Sequence, residues 1–146
     1  MNIRIYQTDD IAAVLEVFRL NTPNFFDSSE QEELEVYLAD HGNTYYVMEE
    51  NGRIVGCGGY HFDESRTQGR ISWDFFHPDY KGRGLGRKLV SHCLEELRKE
   101  QGISLIIVWT SQLAYEFYSK FGFKTVEVVK DHWAPGLDLY RMEMQA

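Results

Sequence analysis

The chain has 146 residues, 43% of them hydrophobic and 26% charged, with a formal net charge of -8. These values describe one folded domain over residues 1–146 with a substantial core, not a disordered polymer. They argue against a nucleic-acid partner, which needs a basic face, and no apolar run approaches the ~20 residues that cross a membrane.

Residues 2–10 lack the apolar stretch of a secretory signal. Cys57 and Cys93 are too few for a disulfide framework and read as small buried apolar residues in a reduced, cytoplasmic setting. No Cys-x-x-Cys or His-x-x-x-His pair suggests a metal. Acid clusters at Asp27–Glu35 and Asp63–Glu64 either draw a cationic substrate such as a protonated amine or simply keep the surface soluble.

Ile3–Tyr6 alternates like a first strand. Thr8 can cap a helix in which Ile11, Val14, Leu15 and Phe18 share one stripe. Ser29 with Glu32 forms a capping-box pattern for a second helix that buries Leu34, Tyr37 and Leu38. Tyr45–Glu50 and Ile54–Phe62 flank Asn51-Gly52, a strong hairpin signal, and a further strand is expected at Arg70–His77. The spacing predicts a third helix over Leu85–Glu100, with Glu95 and Lys99 as an i,i+4 pair and Gly102 as its C-terminal stop. Leu105–Trp109 is a continuous apolar run, expected of a parallel strand covered on both faces. A short helix over Ala114–Phe121 ends at Gly122, and strands follow at Phe123–Val129 and Leu137–Met144. The order predicts an α/β (α+β) fold, a mixed central sheet of about seven strands with four helices. Strands four and five should be parallel, because a helix crosses between them.

The most informative stretch is Pro78-Asp79-Tyr80-Lys81-Gly82-Arg83-Gly84-Leu85-Gly86-Arg87-Lys88. Its glycines let backbone N–H groups approach a ligand, a helix start adds unpaired donors, and four cations surround the loop. Such a loop suits a phosphate or pyrophosphate, although a glycine-rich turn before a basic helix needs no ligand. No Gly-Lys-Ser/Thr follows, so it is not a P-loop, and the Gly-x-Gly-x-Gly spacing is poor for a dinucleotide fingerprint.

Ile71–Phe76 followed by His77–Gly86 resembles the acyl-CoA-binding motif of the GNAT superfamily of N-acyltransferases, Gln/Arg-x-x-Gly-x-Gly/Ala, with Lys81 at its first position. Ala114–Phe123 is similar to the family's second signature, a helix carrying a tyrosine and ending at Gly-Phe. The resemblance implies a GNAT fold in which strands four and five splay apart to admit acetyl-CoA as cosubstrate. Pantetheine would lie along Phe75, Phe76 and His77, with the pyrophosphate against Lys81, Gly82, Arg83, Gly84, Leu85, Gly86, Arg87 and Lys88. A backbone N–H near Phe76 would polarise the thioester carbonyl, and the Phe76 ring would narrow the slot.

Tyr118 matches the family's proton donor to the departing thiolate; a buried tyrosine with a bonded hydroxyl is the plainer alternative. Ser111 stands where many members carry asparagine, so it either contacts the cofactor or only caps the helix. For the general base, Asp74 ranks first and Glu64 second, with ordered water as a further route. Simple alternation puts Asp74 on one face with Ser72 and Phe76, unless a bulge intervenes. The Asn21–Ser28 loop and Asp131–Gly136, with Phe25, Phe26 and Trp133, would shape the acceptor side. The expected activity is transfer of an acetyl group to a primary amine of a small molecule or peptide, by a monomer or a homodimer formed through the last strand. The competing class is a non-catalytic CoA-binding module.

Overall fold

A computed structural model describes residues 1–146. Seven strands form one mixed sheet: β1 (Asn2–Ile5), β2 (Tyr45–Glu50), β3 (Arg53–Phe62), β4 (Gln68–Phe76), β5 (Leu105–Thr110), β6 (Lys124–Ala134) and β7 (Leu137–Gln145). Their order is β1-β2-β3-β4-β5-β7-β6, and only β4 and β5 run parallel. Four helices complete the expected fold: α1 (Ile11–Leu20), α2 (Gln31–His41), α3 (Leu85–Arg98) and α4 (Tyr115–Ser119).

Strand alternation sends side chains into two cores. Tyr46, Met48, Val55, Ile71, Ile106 and Val108 meet the buried stripe of α3, including Leu89, Val90, Cys93 and Leu97. Tyr45, Val47, Ile54, Cys57 and Phe75 meet Val14, Leu15 and Phe18 of α1 and Leu34 and Leu38 of α2. Each fully buried Leu or Phe stabilises the fold by roughly 1.5–3 kcal/mol, so these layers fix the position of β3 and β4. Asn51 and Gly52 both take positive φ, as a two-residue hairpin requires.

The local expectations needed several corrections. The first helix is entered from Gln7 with Asp10, not Thr8: Asp10 accepts the Gln7 N–H at 2.8 Å and also holds Arg4. The second capping box is Asp27 with Glu30, two residues earlier than Ser29 with Glu32, and it buries Glu30. Lys99 pairs with Glu96 at i,i+3 rather than with Glu95. β5 is not covered on both faces: Ile106 and Val108 are buried, but Trp109 is 38% exposed. Residues 131–134, expected to be irregular, extend β6 past a bulge at Asp131. The last strand does not end the sheet, because β7 inserts between β5 and the edge strand β6.

One irregularity positions the site. Between Gly59–Ser72 and Cys57–Phe75 the β3–β4 register slips by a residue, so Trp73 and Asp74 both oppose Gly58, and Trp73 takes φ of 56°. Ser72 and Trp73 consequently lie on the α1/α2 side. Ser72 meets His61, Trp73 meets Phe18, and Asp74 turns to the α3/α4 side. Alternation therefore holds for Asp74 and Phe76 but fails for Ser72. Gly58 is obligatory here, since a Cβ would overlap the Asp74 carboxylate and press on Leu89. Gly58→Ala is expected to destabilise the fold by about 1–3 kcal/mol in urea denaturation. An unchanged midpoint would mean that the carboxylate does not pack against β3.

Candidate active site

β4 and β5 pair only from Gln68–Leu105 to Ile71–Val108. Beyond that point Ser72–Phe76 have no β5 partner, and the sheet opens into a wedge. The His77 N–H is committed to Val55 of β3 at 2.8 Å, so the expected pantetheine contact by that group is not available. Alternation along the strand then turns the Phe76 N–H toward the wedge. Phe75 pairs with Cys57 of β3, and its ring belongs to the α1/α2 core. The Phe76 carbonyl accepts from the Asn21 side-chain amide at 2.9 Å, which also donates to Val17. Asn21 thus ties the end of α1 to the end of β4, a role with no local sequence signature.

The glycine loop leads directly into α3. Gly84 is its N-cap at φ of 75°, a conformation that L side chains rarely adopt. Lys88 donates the first intrahelical bond, to the Gly84 carbonyl, which leaves the amides of Leu85, Gly86 and Arg87 without helical acceptors. Gly86 lies against Phe117 and Phe76. Lys81, Arg87 and Lys88 are exposed. Arg83 is engaged elsewhere: it binds Glu50 through two hydrogen bonds, at 2.6 and 2.9 Å, and stacks on Tyr80. Four cations were expected around the loop, and three are left without an acid partner.

Below the loop, the Tyr118 hydroxyl donates to Asp74 Oδ2 at 2.8 Å. Tyr118 is only 6% exposed, between Phe117 and Phe123. Asp74 Oδ1 is buried and has no hydrogen-bond partner. Burial pushes the Asp74 carboxyl up to about 7, against the lowering effect of the Tyr118 hydrogen bond. Burial first, and then the Asp74 charge, drive Tyr118 well above its ordinary range. The two residues sit 44 positions apart in the chain and act as one coupled pair.

The other expected site residues divide. Ser111 is buried, and its Oγ accepts the Leu113 N–H at 3.2 Å, so it caps the turn into α4. Glu64 lies in the β3–β4 turn, beyond the far end of β4; the eight steps from Gln68 to Phe76 span about 26 Å. It does not reach the wedge. Phe26 stacks on Trp73 and meets Phe75, beside the β4 wall. Trp133 donates to the Thr110 carbonyl at 3.1 Å, beside the β5 wall. Phe25 is 44% exposed and joins neither wall.

A native carboxyl that binds its proton more tightly than the unfolded chain does loses stability as pH rises from about 4 through 7. From Asp74 alone, that loss is about 2–3 kcal/mol between pH 5 and pH 8. Asp74→Asn should therefore gain on the wild type in thermal unfolding at pH 8 and lose most of that gain at pH 5. A pH-independent difference would contradict the buried, elevated carboxyl.

The model of the acetyltransferase (GNAT) family matches residues 11–123. An acetyltransferase of Pectobacterium atrosepticum is 31% identical over 134 residues, which cover 88% of this chain and 92% of the relative. The spermine/spermidine N(1)-acetyltransferase of Bacillus subtilis is 30% identical, covering 85% and 88%. An uncharacterized N-acetyltransferase of Methanocaldococcus jannaschii is 34% identical over 94 residues, 59% of this chain, and the match spans only 41% of that relative's length. Among solved structures, the ribosomal-protein-alanine N-acetyltransferase of Brucella melitensis covers 100% of both chains with a TM-score of 0.78 at 20% identity. An aminoglycoside 6'-N-acetyltransferase complexed with coenzyme A covers 99% of this chain and 97% of its own, with a TM-score of 0.80 at 17% identity. No helix is long and apolar enough to cross a membrane.

Proposed function

The chain belongs to the GNAT acetyltransferase family, and we propose that it moves an acetyl group from acetyl-CoA to a primary amine of a small molecule or peptide by direct attack within a ternary complex. The observation that carries this reading is the Tyr118–Asp74 pair, set where β4 and β5 part and beneath the open N-terminus of α3. The pyrophosphate would rest on the amides of Leu85–Arg87, with Lys81, Arg87 and Lys88 around it. The acyl arm would then run down the wedge past Phe76. Buried free cysteines suit a reducing, cytoplasmic setting.

In the transfer step the amine nitrogen attacks the thioester carbon, and the Phe76 N–H donates to the carbonyl oxygen as negative charge develops there. The C–S bond breaks, and the thiolate takes the Tyr118 proton. Asp74 faces the cofactor side and holds Tyr118, so its role is proton partner to that hydroxyl rather than base toward the amine. A protonated Asp74 donates to the Tyr118 oxygen, which frees the phenolic proton for sulfur and restores it afterwards, and Asp74 then regains a proton from solvent. An ionised Asp74 instead draws that proton away. The proton lost by the amine leaves through water.

Release of free CoA thiol across a panel of amines is the direct test. Tyr118→Phe should lower kcat by about 10²–10⁴-fold while calorimetry finds acetyl-CoA binding nearly unchanged. In the wild type, kcat should fall as pH rises through about 7, a limb missing in Asp74→Asn. Gly84→Glu should abolish acetyl-CoA binding without unfolding the chain, since the space around Gly84 is open and its φ of 75° costs a side chain about 1–2 kcal/mol. An unaltered rate in Tyr118→Phe would remove the proton-donor role, and unaltered binding in Gly84→Glu would remove the loop assignment.

A further inference from the structure

Four arginines are tied to acids: Arg4 to Asp10 and Glu49, Arg66 to Glu100, Arg83 to Glu50, and Arg141 to Glu127 and Glu143. Arg70 is not. It sits inside β4, next to Ile71, which faces α3, and so projects to the opposite side of the sheet. Its guanidinium carbon lies 4.0 Å from the centroid of the Trp109 ring. Its Nε is buried and has no hydrogen-bond partner. Burial lowers its pKa, yet a guanidinium keeps its charge across the physiological range. The acid on the neighbouring strand, Glu143 opposite Ile107, is already held by Arg141 at 3.1 Å.

The surroundings offer donors and no carboxylate. His61 Nδ1 lies 3.2 Å from both the Tyr37 and the Ser72 hydroxyls, and the His61 ring stacks on His41. Burial, with His41 and Arg70 nearby, holds His61 at about 4 and therefore neutral. Asp74, the one carboxylate of this stretch of β4, faces the other side of the sheet. A half-buried cation whose buried Nε has no partner is costly unless an anion arrives to satisfy it.

Position gives this feature its use. Trp109 is the first β5 residue beyond the last β4–β5 pair, Ile71–Val108, so the Arg70 head lies at the mouth of the wedge. His132, next to Trp133, approaches Trp109 from the β6 side. We infer that Arg70, seated on Trp109, is the anchor of an anion subsite on the acceptor side, and that the amine acetylated by this protein also carries a carboxylate.

The inference rests on the acetyl-transfer reading and deepens it. From Ser72, level with Trp109, to Phe76 is four strand steps, about 13 Å when fully extended and less with the bulge. The amine and the carboxylate are thus several bonds apart, as in an ω-amino acid or in a short peptide acetylated at its N-terminus. A polyamine, the acceptor of the Bacillus subtilis relative, would meet repulsion at Arg70.

The test uses matched acceptors with saturating acetyl-CoA. These are 4-aminobutyrate, 6-aminohexanoate and triglycine, each against its carboxamide, with 1,4-diaminobutane and spermidine alongside. At least one carboxylate member should show kcat/KM about tenfold or more above its amide and above both polyamines. That preference should vanish in Arg70→Met and shrink in Arg70→Lys, which keeps the charge without the planar fork. If Arg70→Met does not fold, the wild-type ratios and Arg70→Lys decide alone. No carboxylate preference in a protein that binds acetyl-CoA, or a preference undiminished in the variants, overturns the anion subsite. Failure to bind acetyl-CoA in calorimetry would instead remove the transfer reading itself.

Discussion

Just past Ile71 and Val108, where β4 and β5 stop pairing, β4 carries one extra residue against β3. At Trp73 the backbone takes φ of 56°, a conformation that costs a non-glycine residue of order 1–2 kcal/mol. That cost is offset locally. The Trp73 ring stacks on Phe26 and meets Phe18, and its carbonyl accepts from the Tyr45 hydroxyl at 2.8 Å. The bulge follows the last β4–β5 pair and turns Asp74 toward Tyr118, and strand alternation leaves the Phe76 N–H facing the wedge. In the proposed reading the cofactor slot, the carbonyl donor and the proton pair all gather around this one irregularity.

Charge is then distributed against the overall balance. A chain of net charge -8 keeps Lys81, Arg87 and Lys88 without acid partners around the start of α3, where the helix dipole adds further positive potential. The Asp74 carboxyl lies beneath this region, in surroundings apolar enough to hold its pKa near neutrality. In the proposed mechanism, a solvated carboxylate there would be ionised and unable to return a proton to Tyr118. Burial is thus what lets the pair work near pH 7 in that mechanism, and the stability lost as pH rises from about 4 through 7 is its physical consequence.

The elements were legible because periodicity and punctuation are local. Asn51-Gly52 set the hairpin, the stripe of Leu89, Val90, Cys93 and Leu97 set α3, and the crossover helix set the parallel pair. The glycine loop and Tyr118 were legible because each stands in a short ordered motif. Cap choices were less so. Asp27 and Ser29 are both good caps, and only tertiary burial of Glu30 decides between them. The bulge was illegible, since nothing in Ser72-Trp73-Asp74 marks where a residue is inserted. Only the facing Gly58, which leaves room for the Asp74 carboxylate, hints at it. Asn21 and Arg70 were passed over for the same reason: their meaning lies in groups 55 positions away or on a neighbouring strand.

Phe76 shows how closely the cofactor side is specified. Its ring fits because Gly56 of β3 lacks a side chain, a Cβ there overlapping the ring, whereas a Cβ at Gly86 of α3 would press on Phe117 of α4 and only touch Phe76. β3 and the start of α3 thus both approach the Phe76 ring closely, at Gly56 and at Gly86. The acceptor side is built differently. α1 and α2 cover β2 to β4 on that face, whereas Trp109 and the valines of β6 stay exposed. In the proposed reading, the cofactor side is closely packed around Phe76 while the acceptor face stays more open. In this chain the feature that most constrains the choice of substrate is an arginine held over Trp109 without a counter-ion.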